Sequence, residues 1–202
     1  MDPNVVKAAK LFALNQLSSN LPPQIKFHDL QHTRTVVEAS FEIGKGEGVS
    51  ENDLRILEVA AWFHDLGYHQ QVDGHEKIGA QMAREFLHEQ NVNDAEIENV
   101  ERVILSTEVN SKAKDKLEEI IRDADMAHLG MKDSRIRSLL LREEKEAMFG
   151  ESYSDTEWLE INYSFFKNHR YNTRTAQIKY GPKKEEYMQM MRKSLIRRTS
   201  GR

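Results

Sequence analysis

Apolar residues recur at three- and four-residue steps along almost the whole chain, and the two-residue alternation of a half-buried strand is nearly absent. That pattern restricts the fold to helices packed on helices: an all-α, compact helical bundle with short connections. Val5, Ala9, Phe12, Ala13 and Leu17 mark a first amphipathic helix, and Leu21-Pro22-Pro23 ends it. Proline lacks the N–H and disfavours helix in the residue before it. A second helix is predicted over 29–43, with Val36, Val37 and Phe41 inward and the glycine-rich 44–48 segment as a helix–helix loop. No strand precedes that segment and no Gly-Lys-Ser/Thr follows, so it is not a phosphate cradle. Ser50 to Asp53 supply caps for a helix over 54–66, with Gly67 predicted as its left-handed C-terminal residue. Further helices are expected at 76–90, 94–106, 114–128 and 132–149. A capping box at Ser154-Asp155-Thr156-Glu157 opens another through 166, and Pro182 begins the last, to about 196.

The 202 residues are ample for one core. They include no Cys, which removes disulfides, thiolate nucleophiles, Fe–S clusters and Cys-type zinc sites together. No apolar run approaches the ~20 residues that span a bilayer, and the N-terminal stretch lacks the features of a signal peptide. A soluble, cytoplasmic protein with no membrane partner is the expectation. The net charge is −4, but residues 183–202 hold seven basic and two acidic side chains, so the rest is more acidic still. An acidic body disfavours a long nucleic acid as partner, and the basic end reads as a solvated helix and tail.

Several polar residues do not fit a plain bundle. His28 and His32 are four apart and would share a helix face. His64-Asp65 ends the apolar stretch Val59-Ala60-Ala61-Trp62-Phe63, and Asp123 and Asp125 follow Ile120-Ile121. An ionised Asp inside apolar surroundings needs a cation or donors close by. For the dipeptide alone, a buried His–Asp hydrogen bond or a helix-end cap is the simpler reading, and a divalent metal the alternative.

The ordered strings FHDLQHT (27–33), AAWFHDLGY (60–68), GHEKIGAQMAREFL (74–87) and RDADMAHLG (122–130) resemble the HD superfamily of metal-dependent phosphohydrolases. SDTEW (154–158) and NHRYNT (168–173) are similar to features of its stand-alone bacterial members. The matching strings cover about residues 25–130, and the expected organisation is an N-terminal helix (1–24) packing on an HD domain with a helical extension (25–181), then a basic helix and tail (182–202). The resemblance implies His32, His64, Asp65 and Asp125 as metal ligands, with Asp125 preferred to Asp123 because the last ligand is the Asp of an Ala-Asp pair followed by a further helical turn. His28 matches a position that protonates the leaving group or contacts phosphate. His75 matches one that contacts phosphate or a second metal; a surface His at a helix start is the other reading. Thr107 stands near the place where dinuclear members carry a further His, so one divalent metal per chain is expected and a second only weakly held.

Two imidazoles and two carboxylates suit Mn, Fe, Co, Ni, Zn or Mg ions. Such an ion would activate a water, with His28 as acid and Asp65 at the reacting centre. Lys77, Arg170 and Arg174 are candidates for neutralising phosphoryl charge and Tyr171 for stacking on a base, against a packing cluster that closes the bundle. Asp123 is read as an acceptor orienting a ligand His, or as a solvated carboxylate. The implied activity is hydrolysis of a nucleotide or similar small phosphate ester, with a homo-oligomer left open. A non-catalytic nucleotide- or metal-sensing module is the alternative, and a dinuclear-iron oxygenase a more distant one.

Overall fold

The computed structural model describes residues 1–19, 22–109 and 111–200, the last two without their side chains. Among these residues the fold is all-α. The helices are α1 (Pro3–Ser19), α2 (Leu30–Glu47), α3 (Glu51–Phe63), α4 (His75–Glu89), α5 (Asp94–Leu105), α6 (Lys116–Asp125), α7 (Ser134–Phe149), α8 (Asp155–Asn168) and α9 (Arg174–Ser200). A 3₁₀ turn, Met126–Gly130, continues α6. Among the described residues no helix is long and apolar enough to cross a membrane.

Side-chain oxygens fix most helix starts by accepting the orphan N–H groups of the first turn. Asp29, Asn93 and Asp115 cap α2, α5 and α6, and Ser50 and Ser154 form reciprocal capping boxes with Asp53 and Glu157. The helix α3 is the hub, with Leu54, Ile56, Leu57 and every residue from Val59 to Phe63 buried. It is packed by α1, α2, α4, α5 and α6. Phe12 of α1 stacks on Phe63 at 5.5 Å and meets Phe86 of α4 at 5.1 Å, which seats the N-terminal helix on the core. A smaller cluster, Leu129, Phe166 and Met191, joins the 3₁₀ turn to α8 and α9.

The structure departs from the sequence reading at four helix features. The helix α2 runs on to Glu47, so Gly44 and Gly46 lie inside it. A Cβ on Gly44 would stand 2.7 Å from Leu54 Cδ2, so this glycine serves close packing, and the turn belongs to Gly48 at φ 74°. Phe41 lies on the solvent side, 44% exposed, with the Lys45 ammonium 4.5 Å above its ring. Gly67 is not left-handed. A Cβ there would sit 2.3 Å from the His75 carbonyl, so its role is to let the start of α4 approach the end of α3. Pro182 does not begin a helix but lies inside α9, so the expected boundary at 181/182 falls within one helix. Gly181 has no Cβ to collide with the proline ring. Of the expected break after α1, Leu21 lies outside the described residues, as do the last two residues of the basic tail.

Candidate metal centre

Four side chains reach one point from three helix ends. His32 stands in the first turn of α2, its N–H held by the Asp29 cap at 2.8 Å. His64 closes α3 and donates from Nδ1 to the Ala61 carbonyl at 2.8 Å, which turns Nε2 inward. Asp65 follows it, and Asp125 is the last residue of α6. His32 Nε2 lies 3.1 Å from Asp125 Oδ1 and 3.2 Å from Asp65 Oδ2; His64 Nε2 lies 3.1 Å from Asp65 Oδ2 and 3.9 Å from Asp125 Oδ1. His32, His64 and Asp125 offer ligand atoms all within 4.8 Å of one another.

These atoms are near without being bonded. His32 Nε2, His64 Nε2 and Asp65 Oδ2 are buried and make no hydrogen bond among the described residues. Stranding buried polar atoms costs ~1–3 kcal/mol each, more when one is charged. A divalent cation accepts all of their lone pairs at once, so the residues present fit a metal, with nitrogen and oxygen ligands and no sulfur. The electrostatics carry the same demand for positive charge. Burial opposes charge on His32, yet Asp125 and Asp65 outweigh it and push the imidazole up to about 9. Burial likewise raises Asp65, but His64, His32 and His75 hold it well below the usual carboxylate range.

His75 begins α4, donates from Nδ1 to Val72 O at 2.7 Å and points Nε2 at Asp65 Oδ1, 3.3 Å away. It thus meets the carboxylate oxygen that does not face His32 and His64. Thr107 gives its hydroxyl to Ile104 O at 2.8 Å. His28 pairs through Nδ1 with Glu144 of α7 and stacks on Tyr68 at 3.9 Å. Arg137, also on α7, grips Phe27 O and the Asp29 carboxylate, so the same helix anchors the 27–29 segment a second time.

His28, Asp65, His75 and Asp125 line a cleft of about 570 Å³. Its other walls include Thr107, Val109, Ser111, Lys112 and Ala113, then Met126 and His128, Leu141, the end of α8 from Phe165, and Asn172. Arg170 reaches the cleft, though its guanidinium also donates to the carbonyls of Lys167 and His169. Four expectations fail. Lys77 is exposed on α4 and Arg174 is exposed at the start of α9, and neither lines the cleft. Tyr171 is buried, donates its hydroxyl to Met126 O at 3.2 Å and packs near Tyr180, so it closes the bundle and offers no face to a base. Asp123 neither orients a ligand His nor meets solvent. It is fully buried and accepts four hydrogen bonds, from the backbone and side chains of Asn172 and Thr173 at 2.7–2.9 Å, fastening the α8–α9 loop to α6.

Five residues escaped the sequence reading. Lys112 and Arg122 add positive charge to the cleft wall, and Arg122 also donates to Ser106 O, Glu108 O and Ser111 Oγ. His128 and His169 face the same space. Burial pushes His128 down to about 4 and His169 to about 3, so both are neutral at pH 7. Glu144 pairs with His28 without lining the cleft and is invisible to spacing arguments, because it is one of several Glu in a charged helix. The nearest signal is its seven-residue spacing from Arg137, which places two buried charges on one face of α7.

An all-α protein whose helix ends bring two buried imidazoles and two carboxylates together beside a cleft is a candidate metalloprotein. The chain belongs to the HD domain family, whose profile matches residues 29–130, about half of the sequence. Solved structures share the fold over nearly the full length. A Listeria innocua protein is 20% identical with TM-score 0.67 over 96% of this chain and 98% of its own. A Lactobacillus plantarum protein is 18% identical with TM-score 0.71 over 98% and 99%. A third, from an uncultured Thermotogales bacterium and described as a predicted HD superfamily hydrolase, is 17% identical with TM-score 0.59 over 93% and 91%. No curated protein matches the chain.

Proposed function

We propose that this protein is a metal-dependent phosphohydrolase acting on a nucleotide or a similar small phosphate ester. Membership of the HD domain family and the description of the Thermotogales protein support a metal-dependent hydrolase. The observation that carries the reading is the set of buried ligand atoms of His32, His64 and Asp65, without hydrogen bonds among the described residues, gathered with Asp125 where Asp65 and Asp125 line the cleft. His32, His64, Asp65 and Asp125 would hold one divalent ion, which supplies Lewis-acid polarisation of a phosphoryl oxygen and a more acidic water.

The remaining work falls to the chain's own groups. His28, with Nδ1 engaged by Glu144, has Nε2 left to give a proton to the departing oxygen. Lys112, Arg122 and Arg170 bring positive charge to the cleft wall, where charge on phosphoryl oxygens is neutralised. Phe165, Met126 and Leu141 give the cleft an apolar side that excludes water and suits the flat face of a base.

The test is a screen of phosphorylated metabolites with the Mn²⁺- or Co²⁺-loaded protein. Hydrolysis of at least one nucleotide or simple phosphate ester over many turnovers is expected, with metal and turnover both lost in His64→Ala and Asp65→Asn. Full activity in those variants contradicts the assignment. Thermal stabilisation by a nucleotide without product would indicate a sensing module instead.

A further inference from the structure

Glu144 is a carboxylate with no side-chain exposure, on a helix outside the span that the HD profile matches. Burying such a charge costs several kcal/mol unless both oxygens are satisfied. Its two oxygens do different things. Oε2 accepts three backbone N–H bonds, from Lys26 at 2.9 Å, Phe27 at 2.8 Å and His28 at 3.1 Å. Oε1 meets His28 Nδ1. The backbone bonds alone would cap the turn before α2, so the second oxygen is free for the imidazole.

We propose that Glu144 is the positioning residue for His28, holding its ring in the Nδ1–H form so that Nε2 faces the cleft. The inference rests on the reading of His28 as the acid that protonates the leaving oxygen. An ionised carboxylate only accepts, so the proton of this bond sits on Nδ1. The ring cannot swing, because it stacks on Tyr68 at 3.9 Å and meets the edge of Phe27 at 4.8 Å. Glu144 does not line the cleft whereas His28 does, so Nε2 is the nitrogen available to a bound ester. With Nδ1–H on the carboxylate, the proton that goes to the leaving oxygen is one that Nε2 takes up from solvent before the ester bond breaks.

Glu144→Gln separates this role from simple capping. Three backbone donors still demand an oxygen, so the amide oxygen takes the place of Oε2 and the NH₂ group faces His28 Nδ1. That group donates, and the neutral imidazole must carry its proton on Nε2 instead. Long-range ¹H–¹⁵N correlation spectra of the full chain loaded with Mg²⁺ or Zn²⁺ read this directly. The wild type is expected to show His28 protonated at Nδ1 and the variant to show the proton moved to Nε2. A wild-type ring with its only proton on Nε2, or a proton that stays on Nδ1 in Glu144→Gln, overturns the proposal.

Activity supplies the second readout. Glu144→Gln is expected to slow hydrolysis of a deoxynucleoside monophosphate, whose alkoxide needs a proton, on the order of 100-fold. Hydrolysis of p-nitrophenyl phosphate, whose leaving group needs none, should change little. Equal losses on both esters overturn the positioning role while leaving the hydrolase reading intact. If the wild type cleaves no ester at all, that reading fails, and the His28 proton alone decides whether Glu144 positions the ring.

Discussion

Asp123 and Asp125 are two residues apart, and on a helix that separation is about 200°, so the two carboxylates must face different neighbours. Asp125 turns to the two imidazoles and Asp123 to the α8–α9 loop. The preference for Asp125 came from the resemblance; the opposite task of Asp123 needed the loop to be seen. Asp123→Ala should therefore cost a few kcal/mol of stability by stranding the Asn172 and Thr173 donors. It should speed amide exchange at 172 and 173 while metal content stays near wild type, as hydrogen exchange and elemental analysis would show. Glu144 makes a pH prediction. Burial raises its carboxyl, but His28 and the backbone N–H groups outweigh that and hold it at about 2, below the ordinary 4.5. A depressed carboxylate stabilises the fold fully above the ordinary value, and the benefit disappears as pH falls through about 2. Denaturant titrations in EDTA should show the wild type's advantage over Glu144→Gln shrinking by about 3 kcal/mol between pH 5 and pH 2. A gap that does not change with pH would contradict the assignment.

At the scale of elements, periodicity located the helices because each one buries a stripe, and a stripe is a pattern along the chain. It misplaced ends and glycines because those depend on what lies across the gap. Gly44 and Gly67 look like turn residues until Leu54 and the His75 carbonyl are seen pressing on them. Phe41 fits an inward period, but the apolar face of α2 is already filled by Val36, Ala39 and Ile43. Substituting Ala for the α2 cap, Asp29, should destabilise the protein by about 1 kcal/mol through lost capping. The same change removes a carboxylate from Arg137, so a loss well above that value would measure the anchoring of α2 to α7. Phe63→Ala, at the hub of α3, should cost about 3–5 kcal/mol and show as a lower denaturation midpoint.

Across the whole molecule, the four side chains that the fold gathers, His32, His64, Asp65 and Asp125, were legible because adjacent residues, a four-residue spacing and ordered strings survive in a linear text. The cleft was not. Lys112, Arg122, His128 and Glu144 come from separate segments whose meeting depends on how α6, α7 and their loops pack, whereas Lys77, Arg174 and Tyr171 had suitable chemistry and point elsewhere. Because α2, α3 and α6 each supply part of the centre, a bound ion ties three helices together and should stabilise the native state by mass action. At about 1,000 times its dissociation constant that is about 4 kcal/mol, so EDTA should lower the melting temperature of the wild type and leave His64→Ala almost unmoved.

Elemental analysis of the purified full chain beside His32→Ala, His64→Ala, Asp65→Asn and Asp125→Asn, all prepared alike, bears most directly on the centre. Close to one divalent ion per wild-type chain and little in each folded variant is the predicted result. A wild type that binds none, or variants that each keep a full equivalent, would show that these four side chains do not hold a metal.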